Sequence, residues 1–364
     1  MNDMSGAQPQ TTPNFAMRRE PFTFTGTTRE YFGIWIVNVL LTILTLGIYS
    51  AWAKVRRQRY FYGNTHLAGA RFDYHALPWR ILVGRIIVLT LIVSYNLTLQ
   101  FLPLLGLFIF IALMFAIPWF IMRGLRFNAR VTSYRNVRFD FTGGYWGAFL
   151  AYIVGGMLIY GSLGLLAPLA SRWIWNYMLG NLRYGGRPIN CDPRLDRLYG
   201  QWWLPAFVFV GGTVLAGALA FGLIALLQFT LSDPTSGWSI GVVMIIVYAA
   251  MIPLFFVFML SSLLYRAGAR NVALNETVID GRHMLASSIG RRRFAWISIS
   301  NLFATILTLG LARPWAAIRI AKYMALVTAL DTTGSLDDYV STLRDEGAAV
   351  GSEFLDVEGF DLGF

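Results

Sequence analysis

Long runs without a single ionisable side chain alternate with short basic segments along this chain. Residues 86–122 contain no Asp, Glu, Lys, Arg or His, and neither do 198–232 or 234–265. A hydrocarbon core about 30 Å thick takes about 20 helical residues. Residues 86–122 therefore predict two membrane helices joined near Pro103–Gly106. A second pair is predicted over about 204–264, turning at the breaker cluster Ser232-Asp233-Pro234-Thr235-Ser236-Gly237. Three shorter apolar segments, about 31–53, 144–171 and 294–312, complete the pattern.

The three shorter segments are copies of one another. Residues 42–56 read TILTLGIYSAWAKVR and residues 305–319 read TILTLGLARPWAAIR, so that Asn38 maps onto Asn301, Gly47 onto Gly310, Arg56 onto Arg319 and Tyr60 onto Tyr323. A fainter copy lies between them, matching Phe24-Thr25-Gly26 to Phe141-Thr142-Gly143, Gly47 to Gly164 and Tyr60 to Tyr177. A glycine interrupts each copy, at Gly47, Gly164 and Gly310, and in two copies a proline follows four residues later, at Pro168 and Pro314. Proline suits the first turn of a new helix, where its missing N–H has no partner to lose. Each segment is thus expected to be a helix, a glycine turn and a second helix.

Short strand-like alternation borders these elements, as in Phe22-Thr23-Phe24-Thr25 and Val137-Arg138-Phe139-Asp140-Phe141, with turn dipeptides at Ala68-Gly69, Gly185-Gly186 and Asp280-Gly281. These predict short β-hairpins over one face of the membrane. The fold expected is an all-α polytopic membrane protein with internal repeats: two long transmembrane hairpins, three Gly/Pro-broken segments and short cytoplasmic β-hairpins. In domain terms, residues 1–21 are expected to be a disordered tail, 22–330 the membrane repeat domain and 331–364 an acidic tail.

Composition agrees with the membrane class: 56% hydrophobic, 13% charged and a mean hydropathy of +0.54. Charge adds orientation. The turns near 100–106 and 230–239 carry no Lys or Arg, whereas the segments flanking the repeats are rich in Arg. Basic loops stay cytoplasmic, which places those loops and both termini inside. Each repeat segment has basic flanks on both sides, so it either re-enters from the cytoplasmic face or spans against this rule. The polar side chains of its first half (Asn38, Thr42 and Thr45; Ser298, Asn301, Thr305 and Thr308) fit a protein-lined or water-lined face, the surroundings in which re-entrant backbone is tolerated.

The last 34 residues carry nine acids and one arginine in a chain whose net charge is +11. This tail reads as a solvating segment, as a tethered peptide docking on the chain's own arginine-rich face, or as a hook for a partner.

The string LTLGIYSAWAKVRRQRYFYGNTHLAGARF, the FTFTG before it and the acidic Phe/Gly-rich terminus resemble the YjgN-like bacterial inner-membrane proteins, over nearly all of 22–364. Ala51 stands where the copy at Pro314 carries proline. The resemblance implies the membrane fold and a bacterial inner-membrane location. It implies no catalytic or ligand residue, because that family is one of unknown function.

Candidate chemistry is confined to cations. His66, His75 and His283 lie in no metal spacing, Cys191 is the single cysteine, no phosphate-binding glycine loop is present, and the glycine-rich stretch around Gly155–Gly164 reads as helix packing. No cofactor, metal, nucleic-acid partner or enzymatic activity is expected. Arg56 and Arg59, with Arg319 and Lys322 in the third copy, fall at i, i+3 on one helix face, and Arg85 lies near the start of a membrane helix. These five are the candidate contacts for an anion or an anionic lipid headgroup. Two functions fit: a transporter-like or channel-like protein for a small anionic solute or lipid, and a non-catalytic scaffold acting through its cytoplasmic face and acidic tail.

Overall fold

Four tight turns set the strand layout, three of two residues and one, over 280–282, of three. Ala68-Gly69, Arg135-Asn136, Gly185-Gly186 and Asp280-Gly281 all have positive φ at both residues, the conformation of the hairpin turn whose twist matches its flanking strands. They join β2 (Thr65–Leu67) to β3 (Ala70–Tyr74), β4 (Thr132–Tyr134) to β5 (Val137–Phe141), β6 (Leu182–Tyr184) to β7 (Arg187–Cys191), and β8 (Thr277–Ile279) to β9 (His283–Ser287). The structure, a computed structural model, describes residues 17–230, 240–334 and 339–342.

A helix pair separates each β-hairpin from the next. The pairs are α1 (Thr28–Leu44) with α2 (Ser50–Gly63), α3 (Pro78–Phe101) with α4 (Pro103–Arg130), α8 (Leu195–Thr230) with α9 (Ile240–Asn275), and α10 (Arg291–Leu307) with α11 (Arg313–Leu326). In the middle pair the first arm is α5 (Tyr145–Ala148), a π-helical stretch (Phe149–Val154) and α6 (Gly155–Gly161), and the second arm is α7 (Ala167–Gly180). Every pair leaves the sheet from one strand and returns to that strand's neighbour. The expected long hairpins are thus α3–α4 and α8–α9, and the three repeats are the remaining pairs. The breaker cluster 232–237 lies outside the described residues.

The expectation of an all-α fold with isolated hairpins is overturned. Each hairpin pairs along both outer edges, and β1 (Met17–Phe24) pairs antiparallel with β10 (Thr328–Thr333), closing a ten-stranded barrel in the order β1-β10-β9-β8-β7-β6-β5-β4-β3-β2. Closure removes the free edges that separate hairpins would expose. It also draws in residues on both sides of the expected domain limits, since β1 starts at Met17 and β10 runs to Thr333.

The barrel interior is filled. Leu67, Tyr134, Val137, Tyr184 and Leu330 form its buried cluster, with Phe22, Phe72 and Phe139 packed against them. Val340 and Tyr339, from the start of the acidic segment, join this cluster, and the Tyr339 ring meets the buried His283 ring edge-on at 4.7 Å. Burial lowers the His283 pKa, and its Nδ1 accepts from the Thr333 backbone N–H at 3.3 Å. Residues 335–338 and 343–364, where the remaining tail acids fall, lie outside the described residues, as do residues 1–16.

The helix pairs form their own ring: α1 packs on α2, α2 on α3, α4 on α5, α7 on α8, α9 on α10 and α11 back on α1. Among the described residues, four helices are long and apolar enough to cross a membrane: α3, α4, and the segments Leu195–Leu223 and Met251–Asn275 of α8 and α9. Close approach inside one such pair is visible at Gly212, where an added Cβ would sit 2.7 Å from Val257.

Candidate functional site

The first and third repeat copies lock their arms through the same Arg–Asn pair. Arg56 donates from Nη1 to Asn38 Oδ1 (3.4 Å) and to the Tyr49 hydroxyl (3.1 Å). Arg319 donates from Nη1 to Asn301 Oδ1 (3.1 Å) and Ser300 Oγ (2.7 Å), and its guanidinium lies 5.0 Å from the Trp315 ring. These arginines tie a second arm to its first arm. In the middle copy the same positions are Gly155 and Trp173, and there an added Cβ on Gly155 would meet Ala170 at 3.4 Å, so close packing takes the place of the polar clamp.

The other predicted residues divide. Arg59 donates to the Ala76 carbonyl (3.4 Å), bracing α2 against the strand-to-helix connection after β3. Lys322 is exposed on α11. Arg85 reaches from α3 to the Ser50 hydroxyl at the start of α2. Gly47, Gly164 and Gly310 adopt positive φ at the apices of the three short pairs, and Pro168 and Pro314 stand in the first turns of α7 and α11.

Arg85 opens onto a cavity that the sequence did not reveal. It has a volume of about 540 Å³ and lies where three helix pairs meet, between α1, α2, α3 and the start of α11. Four cations line it: Lys54 and Arg57 from α2, Arg85 from α3 and Arg313 from α11. Neutral polar groups from Asn38, Thr42, Ser50 and Gln58 stand among them, with Tyr31, Trp35 and Ile43 on the apolar side. Among the described residues, no carboxylate lines it. Lys54 and Arg57 share a face of α2 by the i, i+3 rule; Arg313 joins them only because α11 packs on α1.

Two other cavities show the contrast. One of about 340 Å³ is bordered by Arg172 and Asp192, and one of about 390 Å³ by Arg19 and Asp331. In both the cation is already bound, Arg172 to Asp192 at 2.9 Å and Arg19 to Asp331 at 2.8 Å. Neither offers unneutralised charge. Cys191, on β7, is buried with its thiol pushed up to about 11, chiefly by burial, and its Sγ lies 3.6 Å from the Ala273 carbonyl.

A family model described as a bacterial protein of unknown function (DUF898) matches residues 19–357. The chain belongs to this family. It is similar to the inner membrane protein YjgN of Salmonella typhimurium, at 28% identity over 86% of this chain and 88% of that protein. It is also similar to the proteins of that name from Escherichia coli K12 and O157:H7, at 36% identity in each case. Those two matches cover 34% and 33% of this chain and span about a third of the relatives' length, 32% and 30%. No solved structure matches the chain. The relatives' name and the four apolar helices agree on a membrane protein of the DUF898 family.

Proposed function

We propose that this membrane protein binds a phosphate-bearing anion, either a small solute or a lipid headgroup, in the basic cavity, and that this binding serves transport. The observation that carries the reading is four converging cations from three helix pairs with, among the described residues, no lining carboxylate. Arginine's planar fork suits phosphate oxygens, and 28 of the 30 basic residues are Arg. In this reading the barrel and its arginine-bearing turns face the cytoplasm, as the positive-inside rule favours. All five helix pairs then enter from that side: α3–α4 and α8–α9 cross, and the three short pairs re-enter. In this reading an anion reaches the cavity from the cytoplasmic side.

Binding to the purified full-length protein tests this, with inorganic phosphate as one probe and vesicles containing phosphatidylglycerol as the other. Arg57→Gln and Arg313→Gln are each expected to weaken binding about five-fold, the equivalent of about 1 kcal/mol per cation near an anionic headgroup. Arg172→Gln, in a different cavity and already bound to Asp192, serves as the control and should leave affinity unchanged. Competition by phosphate would identify a soluble anion, and binding to vesicles alone would identify a headgroup. Wild-type affinity in an Arg57/Arg313 double variant would sink the proposal.

A second reading, a scaffold acting through the cytoplasmic face, is supported by the seating of Tyr339 and Val340 in the barrel. In this reading the tail beyond them would dock on the chain's own arginines or on a partner. Removing residues 343–364 while retaining anion binding but losing a co-purifying partner would favour it.

A further inference from the structure

The apices of the three short helix pairs are built alike, and unlike ordinary surface loops. Every backbone N–H across each apex is paired within the apex or with its own first arm. In the first copy, Thr45 donates to Leu41 O, Leu46 to Ile43 O, Gly47 to Thr42 O, Ile48 to Thr45 O and Ser50 to Gly47 O, all at 2.7–3.1 Å. The one N–H left over, that of Tyr49, is taken by the Thr45 hydroxyl at 2.9 Å. The middle copy repeats this bond for bond over 162–167, with Ser162 Oγ accepting from Leu166 N–H at 2.9 Å. The third copy repeats it over 308–313, with Thr308 Oγ1 accepting from Ala312 N–H at 2.9 Å. Even two middle-apex carbonyls find donors on α8, Gly164 O from Trp202 and Leu165 O from Tyr199.

The outside of each apex is apolar. Leu46, Leu163 and Leu309 are 94%, 90% and 95% exposed, and each holds a φ near +50°, a conformation uncommon for leucine. Leu44 and Ile48, Leu165, and Leu307 and Leu311 surround them, also exposed. Water neither requires a loop to satisfy all its N–H groups internally nor favours such a shell of leucines. Hydrocarbon requires the first and favours the second.

Length fixes the depth. At about 1.5 Å per residue the 17-residue α1 and α10 reach about 25 Å from the barrel, and the 14-residue α2 and α11 about 21 Å. The 24-residue α3 reaches about 36 Å and the 28-residue α4 about 42 Å. The short apices therefore stop roughly 11–21 Å below the α3–α4 turn, around half of a hydrocarbon core about 30 Å thick.

We propose that Leu46, Leu163 and Leu309 contact lipid acyl chains near the middle of the bilayer, so that the opposite leaflet is occupied by lipid above all three short pairs. This rests on the reading that the short pairs enter the membrane, and it adds where they stop and what they meet. The helical ring is closed only in the leaflet nearer the barrel, and it is open sideways to lipid at mid-bilayer.

Spin labels on full-length protein in phosphatidylethanolamine/phosphatidylglycerol vesicles test this, using Leu46→Cys, Leu163→Cys and Leu309→Cys, with Leu102→Cys at the α3–α4 turn as the reference. The natural Cys191 is buried and its thiol poorly ionised, and the unaltered chain provides its labelling blank. Leu44→Cys, Leu165→Cys and Leu307→Cys form a second set, in case labels at the strained φ disturb the apex. The expected result is high collision with oxygen and low collision with a water-soluble nickel chelate at all apex positions, with a depth near the bilayer centre. The Leu102 label should lie at the far headgroups. Chelate accessibility at the apices equal to that at Leu102 would show that they cross, and accessibility from the barrel side would show that they never insert; either overturns the proposal. A Leu102 label remote from the far headgroups would instead overturn the crossing assigned to α3–α4. Loss or retention of phosphate binding in the cavity variants has no bearing on this measurement.

Discussion

Three tyrosines in equivalent positions do the same work, each reaching back 33 residues. Tyr60 accepts from the Thr27 N–H at 2.8 Å, Tyr177 donates to the Gly144 carbonyl at 2.9 Å, and Tyr323 accepts from the Gly290 N–H at 3.0 Å. Each hydroxyl pins the end of a second arm to the start of its first arm, which fixes the base of a helix pair on the barrel. Tyr177→Phe is expected to cost about 1 kcal/mol, the usual net worth of one such hydrogen bond, seen as a lower unfolding midpoint in detergent. The double variant with Tyr323→Phe should be close to additive, since the two pairs share no partner. The seam of the barrel depends on a different contact. Arg19 holds Asp331 through two bonds, Nε to Oδ1 at 2.8 Å and Nη2 to Oδ2 at 2.9 Å, and these hold the Asp331 carboxyl below its usual range. A depressed folded pKa means the contribution is present above the unfolded value of about 3.9 and is lost as pH falls through the folded value. Amide exchange in β1 and β10 should therefore accelerate below about pH 4, and Arg19→Ala should abolish that acid sensitivity.

At the scale of the element, a polar side chain and a glycine define each apex. Thr308→Val removes the acceptor for the Ala312 N–H, a loss comparable to removing a helix cap, about 1 kcal/mol. Gly310→Ala places a Cβ at a φ of +94° and should cost about 1 kcal/mol or more of local strain. Both are measured by unfolding of the reconstituted protein. Gly143→Ala is expected to be worse for another reason: its Cβ would lie 2.5 Å from the Phe141 ring and 3.0 Å from Tyr177. The apices were legible in the sequence because a Leu-Gly step recurs in a fixed frame. The turns Ala68-Gly69, Gly185-Gly186 and Asp280-Gly281 were legible from their dipeptides, whereas Arg135-Asn136, with the same positive φ values, was not singled out. The barrel was illegible. Six of its strands have eight, six or five residues and hint at alternation, but β2, β4, β6 and β8 have three each, too few to show a period of two. A subtler mark was available: Thr65, Thr132, Thr277 and Thr328 each bond their own helix four residues back, at 2.7–2.8 Å, where a second arm becomes a strand. That residue recurs in both long pairs, which the Leu-Gly motif does not reach.

At the scale of the molecule, the pieces form five copies of one unit, a helix pair plus the strands it joins, arranged around an axis. The chain ends supply the two halves of the fifth β-hairpin, so β1 and β10 meet across more than 300 residues, with Met17 opposite Thr333 and Pro21 opposite Ala329. No local pattern could announce that pairing, and the basic cavity depends on it. Lys54, Arg57 and Arg85 come from the first two units, but Arg313 comes from the last and arrives only when α11 packs on α1. Arg85 could be picked out alone because it stands at the edge of an apolar run; its companions could not, since each resembles any other basic residue flanking the repeats. Ring closure and anion binding should therefore be coupled. Substituting Met17→Cys and Thr333→Cys gives a pair in register across the seam, at the Cα spacing of opposed antiparallel residues, which a disulfide can bridge. Oxidation is expected to link the two strands, shown by fragments that stay joined on a non-reducing gel after cleavage between them, with phosphate affinity retained. Breaking the seam with Arg19→Ala and Leu330→Asp should weaken phosphate binding although all four cations remain in the chain. Full affinity in that seam variant would mean that the cations gather without the closed ring, and the coupling between barrel and cavity would be wrong.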